Sequence, residues 1–221
     1  MKVLVIAPHP DDDVLGCGST IAKHSKDGDE VHICYITEAY TPDWSLEFIT
    51  ERPRQIERAN HILGVAYWHF CHFPSVLLDT IPKKDIYTKM RVLINKVEPE
   101  IVYIPHKGDV NQDHQIVYQC ALSATRPEPN SSIKRVLSYE VLSETNWGDG
   151  FYPNVYVDIT DTLELKLLAM QEYKEEMKQA PHARSLESIR ALATSRGMSV
   201  GVQYAEAFML IRELIRETNG K

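Results

Sequence analysis

Two short polar segments carry most of the residues in this chain that are able to do chemistry. The first is Ala7-Pro8-His9-Pro10-Asp11-Asp12-Asp13, followed closely by Gly16-Cys17-Gly18. It gathers one imidazole and three carboxylates over five residues. Neighbouring carboxylates repel one another unless a cation sits among them or water screens them. The segment therefore reads as a cation site, for zinc or magnesium, or as a solvated acidic turn opening a helix, where aspartate complements the helix dipole. The second segment is Pro105-His106-Lys107-Gly108-Asp109-Val110-Asn111-Gln112-Asp113-His114. Histidine in both segments favours zinc, because imidazole suits zinc while magnesium prefers oxygen ligands and water. A catalytic zinc site needs three protein ligands and one open position, and two histidines with one carboxylate meet that count.

Both segments follow compact apolar runs, Val3 to Ala7 and Ile101 to Ile104. In open α/β sheets ligands bind outside the carboxyl ends of the strands, so two such loops from neighbouring strands would converge. Further strands are expected at Val31 to Ile36, Ala66 to Phe70, Arg135 to Val141 and Val155 to Asp158. Between them, helical patterns run over Gly18 to Lys26, closed by Gly28, and Glu51 to Leu63, stopped by Gly64. Ile86, Met90, Leu93, Ile94 and Val97 recur at helical spacing before Pro99, and Gln115 to Thr125 is helical again. A long helix is expected after Asp161-Thr162-Leu163-Glu164, which has capping-box spacing. Ser185 to Arg196 and Gln203 to Arg216 complete the helical stretches. Short apolar runs alternating with helices point to an α/β fold. We expect a Rossmann-like, mostly parallel sheet flanked by helices, with C-terminal strands and helices completing a single domain over residues 1–221.

The two polar segments resemble signatures of the LmbE-like, or PIG-L, family of zinc-dependent N-acetylglucosaminide deacetylases. The first is similar to the family's His-Pro-Asp-Asp-Glu, and Asn111-Gln112-Asp113-His114 is similar to its His-Pro-Asp-His. Arg54-x-x-Glu57 leading to Leu63-Gly64, Tyr139-Glu140, and Gly197 with Tyr204-Ala205-Glu206-Ala207-Phe208 extend the likeness along nearly the whole chain. The resemblance implies zinc held by His9, Asp12 and His114, although these ligands admit other divalent transition metals. It implies Asp11 as general base and then general acid, with Asn111 and Asp113 completing the catalytic set. The implied reaction removes the N-acetyl group of a glucosamine-like sugar or sugar conjugate, and the implied assembly is a homo-oligomer. Two positions depart from the pattern. Asp13 stands where the family has glutamate, a mild change behind the ligands. Asn111 replaces the first histidine of the second signature, and an amide can donate a hydrogen bond but neither carry charge nor titrate. Three readings follow: Asn111 serves as a neutral donor, His106 or another group takes over, or the protein binds metal and sugar with little turnover.

Arg54, Arg126 and Asp79 are candidates for holding sugar hydroxyls or a phosphate, against the plainer reading of surface ion pairs. His182, in Pro181-His182-Ala183-Arg184, is a candidate for the mouth of the pocket. Trp44 and Trp147 fall in loop-like segments able to flank a sugar, while Trp68 reads as core. His69 and His72 lie on or beside a strand, where residues three apart face opposite ways, so a structural role is expected. Gly16-Cys17-Gly18 lacks the third glycine of a dinucleotide loop, which argues against a nicotinamide cofactor. Four scattered cysteines suit buried, reduced thiols better than disulfides or a thiolate zinc site. A net charge of -7 without a basic block makes nucleic acid or an anionic membrane a poor partner. No apolar run nears the ~20 residues that span a bilayer. The opening Met1 to Ile6 is broken at once by Pro8 to Asp13, so it reads as a strand rather than a secretory leader, and the expected location is the cytoplasm.

Overall fold

The computed structural model describes residues 1–215. Its strands are β1 (Lys2–Ala7), β2 (Glu30–Glu38), β3 (Tyr67–Pro74), β4 (Ile101–Pro105), β5 (Arg135–Tyr139), β6 (Val155–Asp158) and β7 (Ala205–Glu213). Its helices are α1 (Asp12–Lys26), α2 (Leu46–Leu63), α3 (Lys83–Val97), α4 (Gln112–Ala124), α5 (Leu163–Glu172) and α6 (Leu186–Met198). The strands form one sheet in the order β3-β2-β1-β4-β5-β7-β6. The first five are parallel, and β7 runs antiparallel to both β5 and β6. This is the expected α/β architecture.

The unbroken apolar run of β1 reflects its place inside the sheet with both faces covered. Val3, Val5 and Ala7 pack with residues of α1, α2, α5 and α6, while Leu4 and Ile6 pack with α3 and α4. Each fully buried aliphatic side chain contributes about 1.5–3 kcal/mol of hydrophobic stabilisation. The four cysteines are buried and free, as expected. His69 lies against His32, while His72 faces Glu38 from an exposed position, so the two histidines share no site. No helix of the described residues is long and apolar enough to cross a membrane.

The structure corrects the expectation of a helix from Gln203 to Arg216: Ala205–Glu213 is strand β7, and Arg216 lies outside the described residues. Alanine, glutamate, methionine and leucine favour helix, but that preference is weak beside two flanking strands offering backbone partners. The long helix expected after Asp161 is the ten-residue α5, followed by an irregular segment up to α6. Its capping-box spacing, Asp161 to Glu164, goes unused: the N-cap is Thr162, one residue later, and its side chain makes no cap hydrogen bond. Helices α1, α2 and α4 all begin earlier than their apolar periodicity suggests.

Three residues of the C-terminal half, Glu206, Lys166 and Tyr139, reach the start of the chain. Glu206 of β7 accepts the Ser19 and Thr20 backbone N–H groups of α1 at 3.1 and 2.7 Å. It also pairs with buried Lys166 of α5 at 2.6 Å, and Lys166 reaches the Leu15 carbonyl at 2.7 Å. The Tyr139 hydroxyl donates to the Ile6 carbonyl at 2.8 Å, and its ring fills the space beside Gly16, where a Cβ would come within 2.2 Å of it. Within the C-terminal half, Glu140 accepts two hydrogen bonds from Arg196 of α6, at 2.8 and 2.7 Å.

Candidate metal centre

Strands β1 and β4 are parallel neighbours, so their carboxyl ends deliver the two polar segments side by side. His9 follows β1, Asp12 opens α1, and His114 lies in the first turn of α4. Three of their atoms form a nearly equilateral triangle. His9 Nδ1 is 3.1 Å from Asp12 Oδ2 and 3.2 Å from His114 Nε2, and His114 Nε2 is 3.1 Å from Asp12 Oδ2. Donors ~2.0–2.1 Å from a tetrahedral zinc lie about 3.3 Å apart, so the triangle is one face of such a site. Asp12 Oδ1 is buried without a hydrogen-bond partner, as suits a carboxylate that has a cation to face. Among the described residues these three are the one group with metal-ligand spacing.

Each imidazole is oriented from behind by a carboxylate. Asp113 Oδ2 meets His9 Nε2 at 3.0 Å and accepts the Val76 N–H at 2.7 Å, while its Oδ1 accepts from Leu78 N–H at 3.3 Å. Asp113 is thus a support for His9. Asp109 Oδ2 meets His114 Nδ1 at 3.0 Å and accepts from the Thr145 hydroxyl at 2.9 Å. Such partners fix the tautomer and ring orientation of metal-binding histidines. Asp109 was legible only as one more acid of the loop, because its pairing with His114 depends on the turn between them. The loop of His9 is braced in turn by the Thr37 hydroxyl, which donates to the Pro8 carbonyl at 2.8 Å.

The charges respond to this crowding. Burial works against a charged His9, yet its hydrogen bonds to Asp113 and Asp12 raise its pKa to about 9. Burial opposes a charged His114 too, but the charge of Asp12 and the bond to Asp109 raise it to about 10. Burial would raise Asp12, and the facing histidines hold it well below the ordinary carboxylate range instead. Asp13, buried with its Oδ2 accepting from the Tyr35 hydroxyl at 3.1 Å, is pushed up to about 7 by burial. Asp11 is raised by burial, against the opposing charge of Arg184.

Asp11 stands beside the trio and outside it. It precedes α1 with φ at 122°, a conformation costly for a residue with a side chain and frequent at functional sites. Its Oδ2 pairs with Arg184 Nη1 at 2.9 Å. Asn111 is the N-cap of α4, its side-chain oxygen accepting the Asp113 N–H at 3.0 Å. The cap uses one of the two lone pairs of that oxygen, and Asn111 does not line the cavity beside the trio. His106 is buried against the Phe151 ring at 5.1 Å, and it belongs neither to the trio nor to the cavity beside it.

That cavity, of about 440 Å³, has His9 and Asp11 in its wall, together with Trp44, Phe48, Phe70, Arg52 and Arg184. Trp44 is where the sequence suggests, whereas Trp147 is exposed and does not line the cavity. Arg54, Asp79, Arg126 and His182 are all exposed and none lines it. Arg54 pairs with its helical neighbour Glu51, and His182 Nδ1 accepts from the Arg184 backbone. The arginine that the fold turns inward is Arg52, two residues earlier. Its guanidinium lies 4.2 Å over the Phe48 ring and bonds Glu176 at 2.6 Å, while Nη1 is buried without a partner. Phe48, Arg52 and Ile56, spaced by four, share one face of α2, and that spacing is the signal by which Arg52 could have been found.

A mostly parallel sheet with a His-Asp-His trio and a separate carboxylate at the ends of two adjacent strands defines a class of α/β protein able to hold a divalent metal at a cavity wall. Residues 4–125 match the family described as GlcNAc-PI de-N-acetylase (PIG-L), and the chain belongs to that family. It is 26% identical over 224 residues to the diacetylchitobiose deacetylase of Thermococcus kodakarensis, covering 95% of this chain and 83% of that protein. The structure of the conserved protein TT1542 from Thermus thermophilus is similar with a TM-score of 0.80 at 25% identity, over 99% of this chain and 98% of that one. The N,N'-diacetylchitobiose deacetylase of Pyrococcus horikoshii, solved with its inhibitor MPG, gives 0.78 at 27% identity, over 96% and 84%.

Proposed function

We propose that this protein is a metal-dependent N-deacetylase that hydrolyses the N-acetyl group of a glucosamine-like sugar or sugar conjugate, releasing acetate and a free amine. The observation that carries the reading is the placement of Asp11: a carboxylate in the cavity wall, next in sequence to a trio with zinc-ligand spacing but not part of it. His9, Asp12 and His114 would hold zinc, or another divalent transition metal served by the same ligands. Such an ion, when bound, supplies Lewis acidity toward the amide carbonyl and lowers the pKa of a nearby water. Asp11 takes a proton from the attacking water and returns it to the amine nitrogen as the C–N bond breaks. Trp44, Phe48 and Phe70 offer faces against which a sugar ring packs, with Arg52 beside them in the cavity wall. The cytoplasmic location and homo-oligomeric assembly expected from the sequence belong to the same proposal.

The test is metal content measured alongside acetate release from a panel of N-acetylated sugars, for wild type, Asp11→Asn and His114→Ala. We expect near-stoichiometric metal in wild type and in Asp11→Asn, its loss in His114→Ala, and loss of activity in both variants. A wild type that binds no divalent metal overturns the reading. Stoichiometric metal and sugar binding without acetate release from any member of the panel would instead establish a binding protein, the outcome that Asn111 in place of histidine favours.

A further inference from the structure

We propose that Arg184 is the positioning residue of Asp11, selecting which carboxylate oxygen faces the substrate and keeping the side chain off the neighbouring metal ligands. The inference rests on the reading of Asp11 as the base.

Arg184 comes from the irregular segment between α5 and α6, which runs back across α2. At the end of α5 and in that segment, Glu172, Glu175 and Glu176 meet Arg58, Gln55 and Arg52, at 2.5, 2.8 and 2.6 Å. The backbone of Arg184 is pinned on both sides, its carbonyl accepting from Lys178 N–H at 3.2 Å and its N–H donating to His182 at 3.0 Å. Its guanidinium is then used in four directions. Nε donates to Ser143 Oγ at 2.7 Å, Nη1 to Asp11 Oδ2 at 2.9 Å and Glu176 Oε2 at 3.0 Å, and Nη2 to Glu144 Oε1 at 3.4 Å. Only 15% of the side chain is exposed, and the residue lines the cavity beside Asp11.

A planar fork held at several points fixes the direction of what it binds, as a flexible ammonium does not. Arg184 holds one oxygen of Asp11, which leaves Oδ1 to face the substrate. Asp11 needs such a hold. Its backbone sits in a strained conformation, and its neighbours Asp12 and Asp13 are acids. Freed of its counter-charge, the carboxylate would turn toward the imidazoles of the trio. Proton transfer demands a fixed distance and direction, and a misplacement of ~1 Å costs on the order of 100-fold in rate.

The experiment uses the full chain loaded with zinc, comparing wild type, Arg184→Ala, Arg184→Lys and Asp11→Asn with N,N'-diacetylchitobiose as probe. We expect Arg184→Ala to lower kcat on the order of 100-fold with KM changed less than about threefold. Zinc content should stay near one per chain, and added guanidinium ion should restore part of kcat. Arg184→Lys, which keeps charge without the fork, should lie between. A crystal structure of Arg184→Ala should show the Asp11 carboxylate rotated from its wild-type direction. Unchanged kcat, a rise in KM alone, or a loss that follows zinc or Tm and resists guanidinium overturns the proposal. If Asp11→Asn is inactive while Arg184→Ala matches wild type, only the positioning role falls. If Asp11→Asn is fully active, the reading of Asp11 falls and this inference with it.

Discussion

The proposed metal ligands and the carboxylate beside them are held in opposite ways. His9, Asp12 and His114 are oriented by near neighbours: Asp109 and Asp113 sit in the same polar segment as His114, and β1 and β4 are adjacent in the sheet. Asp11 depends instead on Arg184, 173 positions away, whose own setting relies on Glu176, itself bonded to α2, and on the loop before β6. The trio needs little beyond the pairing of two strands, with Val76, Leu78 and Thr145 as outer supports of its orienting carboxylates. A site that waits on distant segments forms only when the whole chain is docked, and it is correspondingly easier to detune without unfolding the protein.

The contrast can be broken or sharpened by substitution. The largest effect is expected from Asp11→Asn, a loss of 10²–10⁴-fold in kcat, roughly the range for removing a general base, with metal content unchanged by elemental analysis. Glu206→Ala should destabilise the fold by about 3–5 kcal/mol, since it strands a buried lysine, and denaturant unfolding would show it. Were it neutral, the attachment of β7 to α1 would not matter to stability. Asp109→Ala should weaken metal binding by about 10–100-fold, read by competition with a chelator, because His114 loses its orienting partner. Arg52→Ala should lower kcat/KM by about tenfold, since it removes a charged hydrogen-bond partner of Glu176 and with it a support of Arg184, while Arg54→Ala leaves KM and kcat unchanged. Equal effects for the two arginines would remove the cavity from the argument.

What could be read ahead of the structure follows the same division. The parallel sheet and the convergence of the two polar loops were legible because each depends on a strand and the few residues after it, whereas the choice of His9, Asp12 and His114 among the loop residues came from the family resemblance. Arg52 was not chosen over Arg54, since which of two arginines turns inward is settled by the phase of α2 against the sheet rather than by the triplet around them. Strand β7 was read as helix, because Ala205 to Leu210 favours helix locally and the partners β5 and β6 lie elsewhere in the chain. Arg184 carried no signal at all. It stood beside His182, the more conspicuous titratable residue, and only the return of its segment across α2 brings it to Asp11.

The position of Arg184 late in the sequence has a consequence for the order of biogenesis. Chains emerge from the ribosome amino terminus first, and His9, Asp12, Asp109, Asp113 and His114 all lie in the first 114 residues. The strands and helices that bring them together, β1 to β4 with α1 and the start of α4, are complete by then. Arg184 and the strand carrying Glu206 are made later. The nascent chain would therefore hold the parts for capturing an ion while still lacking the one that aims its base, so that loading precedes competence.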